Sequence, residues 1–178
     1  MSWRSLSVLG DAGAGKKTLV ACLIYMCGLE LLQLEELERK GIQSGDIVPF
    51  FEERGQPLCF HAPSGLFKIE RSQTPGVAIW VVDGSDPLTW VTSAQRLAAM
   101  LSSGEIQPRE RLIIAINKMD LVNWSEKTFK DAVHVFSALN LNEGFRIQRA
   151  EYTSRLEGAF MGNWSISTTV WGIGRGVE

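Results

Sequence analysis

One early segment, Gly10-Asp11-Ala12-Gly13-Ala14-Gly15-Lys16-Lys17-Thr18, has the residue types and spacing to hold a phosphate. In the G-x-x-x-x-G-K pattern, small residues let the backbone curl around an anion, with successive N–H groups and a helix N-terminus facing inward. Lys16 supplies the point charge for the terminal phosphates. The next position ordinarily carries a Ser or Thr hydroxyl for the nucleotide's magnesium ion. Here it is Lys17, and Thr18 lies about 100° further round the helix. The pattern predicts phosphate binding at residues 10–18 and no protein hydroxyl for a metal.

A second constellation, Asn117-Lys118-Met119-Asp120, has the chemistry to read a base. A carboxylate at Asp120 accepts a pair of hydrogen bonds from the guanine ring N–H and exocyclic amine, a donor pair that adenine lacks. Asn117 would bond the base and tie the two loops together, while the aliphatic stem of Lys118 lies along the ring.

Both loops must be carried by a rigid frame. Residues 6–9 read as a strand leading into the glycine loop, and Leu19 to Tyr25 as the helix that follows, broken at Gly28. Residues 29–40 read as a leucine-striped, acidic helix packed on the core and stopped by Gly41. Residues 41–75 are rich in Gly and Pro and read as loops with one or two short strands. The apolar runs 77–82 and 112–116 have the character of strands buried on both faces of a parallel sheet. Helices are expected at 89–101 and, capped by Ser125, at 125–139. Strand character returns at 145–147 and 164–171, and residues 172–176 read as a frayed tail. The order predicts an α/β fold of the P-loop NTPase kind, a mostly parallel, doubly wound sheet flanked by helices. Ligands of such sheets sit outside the carboxyl ends of the strands, where both loops emerge.

At 178 residues, 45% hydrophobic and 21% charged, the chain reads as a single domain over 1–178 with a substantial core. A net charge of -2 gives no general attraction for nucleic acid or membranes. Cys22, Cys27 and Cys59 lack a metal spacing and read as reduced, buried thiols. His134 reads as structural, His61 has no nucleophile beside it in the sequence, and the six tryptophans read as core residues. Residues 1–4 lead straight into the first strand, so neither a signal peptide nor a membrane span is expected, and the expected location is cytoplasmic.

On residues 10–18, Leu23-Ile24-Tyr25-Met26-Cys27-Gly28, Glu53-Arg54-Gly55, Ser72-Gln73 and Asn117-Lys118-Met119-Asp120, the chain resembles the GTPase domain of the elongation factor 1-alpha family and its relatives in termination and ribosome rescue. The resemblance spans roughly residues 4–140 and implies a P-loop GTPase that binds GTP or GDP with magnesium, with a translation factor or the ribosome as partner. The two β-barrel domains that hold tRNA in that family have no counterpart here, so tRNA delivery is not expected.

The departures are as specific as the matches. The family's second switch, Asp-x-Pro-Gly-His, aligns in one placement with His61-Ala62-Pro63-Ser64-Gly65. In the other, residues 66–70 match the strand after the first switch, Ser72-Gln73 runs directly into the strand at 77, and the second switch is deleted. Arg54-Gly55 matches the first switch, but Gln56 and Pro57 stand where Ile and the magnesium-binding Thr belong. With Lys17, three magnesium or hydrolysis positions are gone, although Lys17 could itself neutralise the β-phosphate. Ser137-Ala138-Leu139 has the letters of the family's guanine-oxygen motif but falls inside a helix and reads as core packing; Ser154 is the other candidate. No catalytic residue and no metal ligand can be named. The expected function is guanine-nucleotide binding with weak or absent hydrolysis, against the alternative of an interaction module or remnant without nucleotide.

Overall fold

The computed structural model describes residues 3–62, 65–138, 146–147 and 169–174. Among the described residues seven strands form one sheet: β1 (Arg4–Gly10), β2 (Cys59–Ala62), β3 (Gly65–Ile69), β4 (Val77–Asp83), β5 (Arg111–Asn117), β6 (Arg146–Ile147) and β7 (Thr169–Gly174). Five described α-helices flank it: α1 (Lys16–Cys27), α2 (Leu31–Arg39), α3 (Ile47–Glu53), α4 (Trp90–Ser102) and α5 (Glu126–Ser137). The strand order is β2-β3-β1-β4-β5-β7-β6. The middle four strands run parallel, while β2, β7 and β6 join antiparallel at the two edges. The result is a mostly parallel α/β sheet flanked by helices.

Continuous apolar runs placed β4 and β5 at the centre because their residues are covered on both faces. On one face, Trp80, Ile114 and Ile116 pack with Leu97 of α4 and Phe129 and Phe136 of α5. On the other, Leu6 and Val77 pack with Ile24 of α1, Leu37 of α2 and Phe51 of α3. The buried Trp80 ring donates its N–H to Ser93 Oγ at 3.0 Å, which satisfies a polar group inside the first core. Registers Gly10↔Val81 and Asp83↔Asn117 align the carboxyl ends of β1, β4 and β5 on one edge.

The middle of the chain holds the two short strands expected of it, the antiparallel pair β2 and β3, and a helix that was not expected, α3, where Pro49 sits in the first turn and interrupts no intrahelical hydrogen bond. β3 ends at Ile69, which is level with Leu6 of β1, and Leu6 is level with Val77 at the start of β4. A parallel crossover ordinarily needs a dozen or more residues and a helix to climb back along the sheet. Here β3 stops where β4 begins, so residues 70–76 need only step across β1. Two serines of β1 anchor the step: Ser7 Oγ donates to Glu70 O at 2.8 Å and accepts from Ser72 N, and Ser5 Oγ accepts from Gly76 N at 2.9 Å.

Other readings change. Residues 172–174 are not a tail but part of β7, because the free edge of β5 supplies hydrogen-bond partners whatever the side chains. In α2, Leu37 is buried while Leu31 and Leu32 are 71% and 75% exposed, so the leucine stripe is only partly core. Cys22 is buried, but Cys27 is exposed and Cys59 half-buried. His134 is exposed on α5 and Trp3 is exposed, whereas Trp80 and Trp90 are core residues. Ser137 ends α5 with Oγ on Val133 O at 2.7 Å, and Ala138 caps it in the open, so this pair is a helix end rather than core packing. Residues 139 and 154, and 145 and 164–168 of the expected strands, lie outside the described residues.

Phe136 is 1% exposed within the α4/α5 core. Phe136→Ala is expected to lower unfolding stability by about 3–5 kcal/mol, read from the urea midpoint.

Candidate functional site

The glycine loop folds as its spacing requires. Gly10 has φ 133°, and a side chain there would run into the Val81 carbonyl of the neighbouring strand. Gly15 has φ 94°, and a side chain there would occupy the place of the Asn117 amide. Both are positions where only glycine allows the conformation and the approach. Gly13 also has positive φ. Ala14 is buried and Ala14 N closes a turn on Asp11 O at 3.3 Å, while Asp11 is half-exposed and Ala12 exposed.

Gly15 caps α1 without any side-chain acceptor, and the first turn carries no acidic residue. Its leading N–H groups therefore remain available to an anion. Lys16 Nζ donates to Gly10 O at 2.9 Å and to Asp11 O at 2.5 Å, which folds its ammonium over the loop. Burial lowers the pKa of Lys16, the Asp11 charge opposes that, and nearby Arg96 lowers it further. Lys17 and Thr18, on the first turn of α1, are both exposed.

The second loop leaves β5 at the same edge. Asn117 is buried, and its Nδ2 donates to Ala14 O at 2.9 Å, so the two loops are tied side chain to backbone. Lys118 takes the left-handed conformation, φ 59°, before a short 3₁₀ turn, Met119–Val122, anchored by fully buried Met119. Asp120, next to it, is exposed. Lys118 Nζ reaches Asp83 Oδ2 at 2.6 Å, while Asp83 Oδ1 accepts from Ser85 N and Ser85 Oγ. Burial alone would raise the pKa of Asp83, but the hydrogen bonds from Lys118 and Ser85 outweigh it and bring the carboxyl below its ordinary range.

Two residues at this edge escaped the reading of the sequence. Asp83 ends β4 in register with Asn117, a relation that only strand pairing reveals. Arg96 of α4 reaches Asp11 Oδ1 at 3.2 Å from 85 residues away.

No protein-family model matches the chain. It is 26% identical to elongation factor 1-alpha of Serendipita indica, an alignment covering 71% of this chain and 34% of that protein. Identity is 27% with the Coccidioides immitis protein, covering 72% and 35%, and 26% with the Saccharomyces cerevisiae protein, covering 71% and 34%. The chain resembles a translational GTPase G domain. It spans about a third of the length of the curated relatives it matches. Among solved structures, Sup35 complexed with GDP gives a TM-score of 0.48 at 19% identity, covering 75% of this chain and 31% of that one. Sup35 complexed with GMPPNP gives 0.47 at 21%, covering 76% and 32%.

The residues that resemble the first switch, and His61, lie away from the glycine loop. Arg54 ends α3, paired with Glu36 at 2.9 Å and with its guanidinium 3.8 Å from the Phe50 ring centroid. Gln56, Pro57 and His61 line a cavity of about 520 Å³ together with Cys27 and Gly28. That cavity is at the C-terminal end of α1, about 18 Å of helix from the loop at its start. His61 sits in β2 and lines this cavity.

A magnesium ion needs several hard oxygen ligands. Among the described residues no group of three or more His, Cys, Asp or Glu is arranged to hold a metal. The loop's hydroxyl position is Lys17, and the carboxylates of Asp11 and Asp83 are each occupied by a cation.

The pKa of folded Asp83 lies below that of the unfolded chain. Its contribution is therefore complete above the ordinary carboxylate range and is lost as pH falls through the folded value. Asp83→Asn is expected to lower the unfolding free energy at neutral pH, read from urea titration, by at most about 1 kcal/mol, the range of partly solvated ion pairs. The gap to wild type should close in acid; an offset that stays constant on acidification would contradict this role.

Proposed function

We propose that the chain is a guanine-nucleotide-binding domain of the translational GTPase type that hydrolyses GTP weakly or not at all. The observation that carries this reading is the 2.9 Å hydrogen bond from Asn117 Nδ2 to Ala14 O. It holds the residues suited to read guanine against the residues suited to cradle its phosphates. In this reading Gly10 to Thr18 surround the phosphates, Lys16 neutralises them, Asp120 accepts from the guanine edge, and Lys118 lies along the ring. The 26–27% identity with elongation factors 1-alpha supports the same assignment. A cytoplasmic setting with a translation factor or the ribosome as partner belongs to this proposal.

Weak hydrolysis follows from what phosphoryl transfer needs. Catalysis there is positioning and charge stabilisation by metal and switch residues. Lys17, Gln56 and Pro57 replace the groups that would provide them, and residues 70–76 step directly into β4. Binding without hydrolysis requires only the loop, Lys16 and the base-reading residues.

Calorimetry with GDP and GTP, each with magnesium and with a chelator, is expected to give binding in both conditions and phosphate release no faster than a protein-free blank. Absence of binding at millimolar nucleotide would leave a fold kept without its ligand. Asp120→Asn is expected to weaken guanine nucleotides about ten- to a hundredfold, since a hydrogen bond to a charged group contributes about 1.5–3 kcal/mol. The same variant should gain affinity for xanthine nucleotides; unchanged selectivity would remove Asp120 from base reading.

A further inference from the structure

The stretch of β1 beyond Leu6 has no β3 neighbour, because β3 ends at Ile69. Beside that bare edge lies an open cavity of about 510 Å³, lined by Gly10 and Lys16 of the loop, Arg71 and Ser72 of the crossing segment, and Arg96 and Met100 of α4. Arg96 is 60% exposed and enters from α4, whose other faces are committed: Leu97 fills the core and Ser93 holds the Trp80 indole. Its guanidinium lies on the Asp11 carboxylate.

The two shoulders of the phosphate loop are thus differently engaged. Ala14 is held by Asn117 from the base-reading side, and Asp11 is held by Arg96 from the opposite side. Lys16 leans toward the Asp11 shoulder, bonding Gly10 O and Asp11 O. A nucleotide with its base near Asn117 would therefore carry its outermost phosphate toward Arg96.

The cavity gathers charges of both signs, with its basic groups nearest the loop. Lys16, Arg71 and Arg96 face one cavity, and Asp11 is the carboxylate that meets Arg96. Glu70 is paired with Lys68 at 2.8 Å, and Glu105 also lines the cavity. An ion pair as exposed as Arg96 with Asp11 is weak and readily exchanged. A planar guanidinium binds phosphate through two parallel hydrogen bonds, which a solvated carboxylate contact at one oxygen does not match.

We propose that Arg96 is a phosphate-binding residue of this site, released by Asp11 to hold the terminal phosphate of a nucleoside triphosphate in place of the missing magnesium ligands. The inference rests on the nucleotide-binding reading above and extends it to the discrimination between triphosphate and diphosphate. Arg96 acts by charge and geometry, with no bond made or broken.

The test measures binding of GDP and of the imido analogue GMPPNP by calorimetry in chelator, for wild type, Arg96→Ala, Arg96→Lys and Asp11→Asn. Arg96→Ala is expected to weaken GMPPNP about tenfold or more and GDP much less, the size of a charge-assisted hydrogen bond. Arg96→Lys should recover part of that loss by charge alone. Asp11→Asn should tighten GMPPNP, since it removes the anion that competes for the guanidinium. Thermal melts of the four proteins should coincide, because both side chains are solvated. If wild type binds both nucleotides and Arg96→Ala weakens them equally or not at all, this inference is overturned while the nucleotide reading stands. If wild type binds neither, both fall.

Discussion

A single side-chain amide organises this molecule's ligand edge. Asn117 is buried at the end of β5, and its Nδ2 bond to Ala14 O crosses 103 residues of sequence to join the two loops. Everything around it serves that contact. Gly15 must lack a side chain so the amide can approach, Met119 anchors the loop from below, and the β4–β5 register sets the height of Asn117. A buried amide without partners would be costly, so the loops are locked together by the same bond that satisfies it.

Away from that edge, the chain reaches a G-domain-like sheet by an unusual shortcut. Parallel strands need a return path, and a helix normally provides it. Here Ile69, Leu6 and Val77 stand at one level, and Ser5 and Ser7 hold residues 70–76 as they cross. The sheet closes its core with few residues, and in exchange β1 is left bare beside the phosphate loop.

Much of the frame was legible without coordinates. The runs at 77–82 and 112–116 are too uniformly apolar for anything but covered strands, and Ser125 marks the start of α5 by its own capping bond to Thr128 N. The glycine loop was legible because its spacing is a backbone requirement. The helix α3 was not, since a proline in the first turn looks like a breaker until its position in the helix is known. Nor was the end of β7, residues 172–174, whose glycines extend the strand expected up to 171 because β5 offers an open edge. The leucines of α2 misled for a related reason: a stripe predicts a buried face, but among the described residues Leu31 and Leu32 are exposed.

Taken alone, the sequence determined the local residue pattern: a glycine-rich turn with the spacing suited to a phosphate, a tetrapeptide with groups suited to guanine, and Lys17 in place of a hydroxyl. These depend on residue type and short spacing, which the chain carries wherever it folds. The tertiary structure decided what stands beside that chemistry. Asp83 meets Lys118, Arg96 meets Asp11, and the segment around Gln56 and His61 lies at the far end of α1 because strand register and helix packing put them there. Such neighbours are separated by tens of residues, so no local pattern encodes them; only the level at which each strand starts and stops brings them to one edge.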